Sequence, residues 1–244
     1  MTRVAIIAAM TGELKPLVGN WQHECRSGVD IWRWRFDEGE WVAACAGAGV
    51  AAATRAFAEV ERDGPIDTVI SVGWVGALRE AFEPGKVYGV SEVVDARTGE
   101  RFSASALSEP DSKAKMAGLV TSAIVADQAE KRRLAAAYRA DLVDMEAAGI
   151  ARLATMRGIP FYCVKGVSDG FQDKIPDFNR FISESGQFQL ARFILFVLIR
   201  PWHWYALVRM GENSKKAALG LKESLLENLD RRGALKKRNG YPNF

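Results

Sequence analysis

The chain has 244 residues, with 33 Lys and Arg against 30 Asp and Glu, and 48% of it is hydrophobic. This excludes disorder as its main state and supplies enough apolar material for a core without a metal or disulfide staple. The charge is uneven: Arg192 to Phe244 holds eleven basic and four acidic residues, a net of +7, which leaves −4 for the rest.

Residues 4–9 (VAIIAA) read as a strand buried on both faces, because a short continuous apolar run suits a covered parallel sheet. A helical turn follows over Glu13 to Val18. Ile31 to Phe36 alternates partly, as a strand near a sheet edge does, and Trp41 to Ala46 is a further strand. Gly47-Ala48-Gly49 then leads into an Ala-rich helix ending near Arg62. Asp67 to Val72 reads as a buried strand closed by a glycine turn, Gly73-Trp74-Val75-Gly76. Val87 to Val94 and Leu119 to Val125 continue the strand series. Helices are predicted over Ala129 to Tyr138 and Glu146 to Arg157, and a last strand over Phe161 to Val167. Strands alternating with helices predict an α/β fold with a mixed central sheet flanked by helices. There is no internal repeat, so one domain over residues 1–244 is expected, with a helical, apolar and basic extension from 185 to 244.

No cofactor or metal is expected. Cys25, Cys45 and Cys163 form no CxxC pair, and two histidines, His23 and His203, leave little for a zinc site. The longest apolar run, Phe193 to Ile199, is seven residues against the roughly 20 a membrane span needs, and the opening lacks the features of a signal peptide. A cytoplasmic protein is expected.

In open α/β sheets, ligands collect at the carboxyl ends of strands. Three polar clusters fall at such ends: Met10-Thr11-Gly12-Glu13, Asp144-Met145-Glu146 and Ser168-Asp169-Gly170. Singly, each fits a helix cap or a favourable first-turn charge. Together, three carboxylates on separate strand ends are material for cleaving a glycosidic bond. One activates a nucleophile, one holds sugar hydroxyls, and one protonates a leaving base. The glycine pairs Gly47/Gly49 and Gly73/Gly76 allow backbone to approach a ligand closely, although Ala52 breaks any GxGxxG fingerprint.

Four segments resemble the bacterial methylthioadenosine/adenosylhomocysteine nucleosidases of the nucleoside phosphorylase superfamily: VAIIAAMTGELKPL, VISVGWVGAL, EPGKVYGVSEVVDA and VDMEAAGIARLATMRGIPFYCVKGVSDG. They occur in the family's order over about residues 3–185. The resemblance implies the three-layer phosphorylase-like fold. It makes Glu13 the base that activates the attacking water. Met145 and Glu146 become the pair that packs under the ribose and bonds its hydroxyls. Asp169, supported by Ser168, becomes the acid for purine N7, with Gly73, Trp74 and Gly76 in the substrate-binding turn. An acid at Asp169 must hold a proton near neutral pH, for which burial is the expected device.

Three departures stand out. Trp74 replaces a small residue, Ala129-Glu130 fall where the family sets a Phe-Ile pair beside adenine, and Ser71-Val72 occupy the stretch where phosphorylases place a phosphate-binding Arg. Water is therefore favoured over phosphate as nucleophile. The C-terminal run with PDFNRFI, RPWHW and NSKKAA resembles the adenosylhopane nucleosidases of hopanoid biosynthesis, whose substrate is a triterpenoid lipid on the 5′ carbon of adenosine. The expected partner is thus a small-molecule or lipid-linked adenosine, and no nucleic-acid reading motif is present. Large apolar residues (Phe193, Phe196, Val197, Trp204, Leu207, Val208) among Arg192, Arg200 and Arg209 suit peripheral contact of segment 188–210 with the inner face of an anionic membrane. The same pattern suits a homodimer face, or a buried closing helix followed by a charged surface helix over Lys215 to Leu229.

Overall fold

The computed structural model describes residues 2–37, 39–107, 116–183, 188–189, 192–193, 196 and 204–231. Ten strands form one mixed sheet among these residues. They are β1 (Thr2–Ala8), β2 (Gln22–Arg26), β3 (Val29–Phe36), β4 (Gly39–Cys45), β5 (Thr68–Ala77), β6 (Val87–Asp95), β7 (Arg101–Ser103), β8 (Ala117–Thr121), β9 (Leu142–Asp144) and β10 (Phe161–Asp169). The helices are α1 (Thr11–Val18), α2 (Val50–Glu61), α3 (Gln128–Tyr138), α4 (Ala147–Arg157) and α5 (Trp204–Arg231).

β5 is the hinge of the sheet. One edge runs parallel to β10 from Val69 to Gly76. The other pairs parallel with β1 over Thr68–Ser71, then antiparallel with β9 at Gly76–Ala77. Beyond β1 the sheet continues through β4, β3 and β2. On the opposite side β10, β6, β8 and β9 return to β5, so five strands close a ring.

The apolar strands are continuous because both faces are covered. Ala5 and Ile7 of β1 pack with Ala52, Ala56 and Phe57 of α2 and Ile150 of α4, while Val4, Ile6 and Ala8 pack with Leu14 and Leu17 of α1 and Leu225 of α5. Helices, sheet and helices therefore make three layers. α5 lies directly on β10, where a Cβ on Gly166 would meet the Ala217 Cβ at 2.7 Å. Ala217, Ala218, Leu221 and Leu225 are buried. The stretch Lys215–Leu229 is thus part of a closing helix that begins at Trp204, and is not a purely solvated one.

Two further boundaries differ from the sequence reading. Gly73–Gly76 are not a turn closing a strand. β5 runs through them, and glycine there serves close packing within the strand. The predicted strand Leu119–Val125 ends at Thr121, because Ile124 N–H turns to the Ser122 hydroxyl and Val125 N–H to the Asn179 side chain. Val197, Arg200 and His203 lie outside the described residues.

Candidate active site

The parallel strands β1, β4, β5 and β10 end on the same side of the sheet, and antiparallel β9 delivers Asp144 back toward them. A cavity of about 1240 Å³ opens there, lined by Glu13, Trp74, Gly76, Met145, Glu146, Ser168 and Asp169. The three predicted carboxylates thus share one cavity. Gly73 does not line it.

Glu13 sits in the first turn of α1, buried, with its carboxylate folded back over the helix start. Oε2 accepts from the backbone N–H groups of Ala9 (2.9 Å) and Met10 (2.8 Å), and Oε1 accepts from Trp74 N–H at 2.7 Å. Gly73 makes this possible: its φ is +143°, and a Cβ would sit 2.9 Å from Glu13 Oε1. Burial raises the Glu13 carboxyl above its usual range, against the lowering effect of the three N–H donors and of the Lys165 charge. The Trp74 indole N–H donates to the Ser214 carbonyl of α5 at 3.0 Å, and its ring covers Gly12. Trp74 therefore ties the C-terminal helix to the backbone that holds Glu13.

Glu146 caps α4 rather than opening it, so its side chain is free to turn into the cavity. It accepts from Gly49 N–H (2.7 Å) and Met145 N–H (3.2 Å). Gly49, at φ +93°, directs that N–H from the Gly47–Gly49 turn. Burial, with the neighbouring Asp144 charge second, pushes the Glu146 carboxyl up from 4.5 to about 8, against the pull of Lys165.

A stability prediction follows from that shift. Between about pH 4.5 and pH 8 the folded chain holds a proton on Glu146 that the unfolded chain has lost, so stability falls as pH rises through this window. Glu146→Gln cannot ionise and is expected to flatten the decline. Thermal unfolding of both proteins at pH 5 and pH 9 checks this, and equal declines would refute it.

Two lysines that the sequence reading passed over organise the site. Lys165, buried in mid-β10, pairs with Asp144 at 3.0 Å and donates to Ser71 Oγ at 3.1 Å. It is a fixed positive charge under Glu13 and Glu146. Its place inside an apolar strand was the available signal. Lys131 of α3 is buried against Asp169: its Nζ donates to Asp169 Oδ2 and, at 2.7 Å, to the Gly170 carbonyl. Ser168 Oγ donates to Asp169 Oδ1 at 2.7 Å. Gly76 admits this pair, since a Cβ would meet Lys131 Cε at 3.1 Å and Asp169 Oδ2 at 3.2 Å. Lys131 offers only donors, so Oδ2 is an acceptor as it stands. Glu130 turns away and pairs with Arg133 at 2.6 Å. Lys131, not Ala129 or Glu130, is the α3 residue in the cavity wall.

The rest of the cavity is largely apolar, with Thr11, Lys15, Asp30, Ser214 and Lys215 as the polar members of its wall. Ile175, Phe178, Ile182, Phe188, Phe193, Leu207 and Met210 line it. Phe193 stacks on Phe178 with ring centroids 5.1 Å apart and lies 5.2 Å from Phe188. Cys45 also lines the cavity, but burial pushes its thiol up to about 12, which disqualifies it as a nucleophile near neutral pH. Among the described residues no group of three or more His, Cys, Asp or Glu is placed to hold a metal ion, and no helix is long and apolar enough to cross a membrane.

A three-layer mixed α/β protein with acidic groups gathered at its strand ends is the class these features define. The chain belongs to the Phosphorylase superfamily, whose family profile matches residues 3–193. Its fold is similar to that of the apo 5′-methylthioadenosine nucleosidase of Arabidopsis thaliana, with a TM-score of 0.73 at 18% identity over 98% of each chain. It is also similar to a futalosine hydrolase mutant of Helicobacter pylori (TM-score 0.70, 13% identity, 95% of this chain and 100% of that one). The 5′-methylthioadenosine/S-adenosylhomocysteine nucleosidase of Neisseria meningitidis, in complex with methylthio-immucillin-A, matches with a TM-score of 0.70 at 18% identity, over 95% and 100% of the two chains. No curated protein matches the chain in sequence.

Proposed function

We propose that this chain is a purine nucleosidase that hydrolyses the N-glycosidic bond of a 5′-substituted adenosine and releases adenine. The observation that carries the reading is the convergence of Glu13, Glu146 and Asp169 on one cavity whose remaining wall is largely apolar. Glu13 Oε1 keeps a lone pair beside its single bond to Trp74 N–H, and a water held there loses its proton as it attacks the anomeric carbon. Glu146 and Met145 hold the ribose, and the Glu13 carboxylate stabilises the positive charge that develops on it. Asp169, supported by Ser168, serves the departing base, with Trp74 and Gly76 lining the substrate cavity. Water is preferred to phosphate because Ser71 is fully buried and bonded to Lys165, which is itself paired with Asp144.

The apolar wall argues for a large 5′ substituent. The cavity is above the 300–1,000 Å³ range of ordinary small-molecule sites. Adenosylhopane is the substrate we propose, in hopanoid biosynthesis. Met10, Ile124 and Leu219 line the cavity and are partly exposed, and Trp204, Tyr205 and Val208 lie exposed on the adjoining turns of α5. This supports peripheral contact with the inner membrane face by a cytoplasmic protein, and the same face can serve a homodimer. We read the whole chain as one nucleoside phosphorylase-like domain.

The test is adenine release from adenosylhopane in detergent and from methylthioadenosine, each with and without phosphate. Phosphate-independent release from the lipid is expected. Release mainly from methylthioadenosine would keep the chemistry and discard the lipid, release that requires phosphate would make the chain a phosphorylase, and no release would leave a non-catalytic nucleoside- or lipid-binding protein.

A further inference from the structure

The acid side of the cavity holds two groups able to carry a proton. Lys131 is 1% exposed and Asp169 is 5% exposed, both in the cavity wall. Nζ of Lys131 spends one N–H on Asp169 Oδ2 and one on the Gly170 carbonyl, while Oδ1 takes the Ser168 hydroxyl. The nearby acidic groups on the elements around the pair are already engaged. Asp144 of β9 pairs with Lys165 of β10, Glu130 with Arg133, and Asp173 with Arg209, while Asp127 caps α3 through the Glu130 N–H. Lys131 is thus the charged group that Asp169 bonds directly.

We propose that Lys131 is the proton store for departure of the base: it recharges Asp169 across their shared hydrogen bond and acts through it, as a positioning residue. This rests on the nucleosidase reading above. The C1′–N9 bond breaks and its electron pair goes to the purine. N7 takes a proton from the Asp169 carboxyl, and Asp169 takes one from Lys131 Nζ, which is left as a neutral amine. The attacking water gives its oxygen to C1′ and a proton to Glu13. One proton has thus moved from Lys131 to the base and one from water to Glu13, and exchange with solvent resets both residues. The ammonium brings the proton and the carboxylate passes it on, so departure of the base draws on the pair and not on Asp169 alone.

The experiment compares wild type with Lys131→Met from pH 5 to pH 9, on the 5′-substituted adenosine and on a 4-nitrophenyl riboside with the same 5′ substituent. The nitrophenolate departs without a proton. Across this range the variant should be more than about a hundredfold slower than wild type on the adenosine, in line with the 10²–10⁴ usual for acid–base catalysis, and slowed far less on the nitrophenyl substrate. A variant slowed equally at all pH values and on both substrates would overturn the proposal, because a structural role affects both alike. Should that variant not fold, Lys131→Arg decides, because a guanidinium keeps the charge but does not give up its proton: a loss confined to the adenosine supports the store, and equal loss on both substrates overturns it. Absence of adenine release by wild type at any pH would overturn the nucleosidase reading itself.

Discussion

Glu13→Gln is expected to slow turnover by about two to four orders of magnitude on any leaving group, the usual worth of a positioned general base. Glu13 is held by three backbone N–H donors, so its orientation does not depend on substrate, and burial has raised its carboxyl above the usual range, which makes its carboxylate a stronger base. Glutamine keeps the shape and loses the basicity. With its oxygen toward Ala9 and Met10, its amide faces Trp74 N–H, donor against donor, at a cost of about 1–3 kcal/mol for the buried group left unpaired. A modest fall in melting temperature should therefore accompany the loss of rate. Because attack by water is common to every substrate, the nitrophenyl riboside should be slowed as much as the adenosine. A variant that kept near-normal turnover on either would remove Glu13 from the mechanism.

Much of this was legible in the chain, for identifiable reasons. β1, β4, β5 and β10 are apolar on both faces because helices cover both, and that leaves an unbroken signal in the sequence. The acidic residues at and past the ends of β1 and β10 were readable because polar clusters recur where those runs stop, and Asp144-Met145-Glu146 because it stands at the entry to a helix. β2 was missed: QHECR has no apolar pattern, and it pairs only with β3 at the sheet edge. β9 was missed because three residues carry no periodicity. Gly73 looked like a turn because a strand glycine whose purpose is to admit a carboxylate from α1 has no local signature. Lys131 was hidden in QAEKRRLAAAY, where one lysine among four charges reads as solvated. Only its spacing of three from the buried Leu134 places it on the inward face.

Asp169→Asn separates chemistry from charge balance. Asparagine fits the hydrogen bonds, with its oxygen toward Lys131 Nζ and its amide toward Ser168 Oγ, so the backbone of β10 has no reason to move. It leaves Lys131, 1% exposed, without its counter-ion, and removing one partner of a buried pair costs about 3–5 kcal/mol. At about 2–4 °C per kcal/mol for a chain of this size, the melting temperature should drop by roughly ten degrees. Adding Lys131→Met removes the stranded charge, and the double variant is expected to recover most of that loss without recovering adenine release. On rate, Asp169→Asn should lose about 10²–10⁴ with adenine as leaving group and little with nitrophenolate, opposite to the uniform loss at Glu13. Unfolding curves for the two singles and the double, with rates on both substrates, make the comparison. Equal rate loss on both leaving groups would mean that Asp169 shapes the site without serving the base. A double variant no more stable than Asp169→Asn would mean that the Lys131 charge is neutralised by some group other than Asp169.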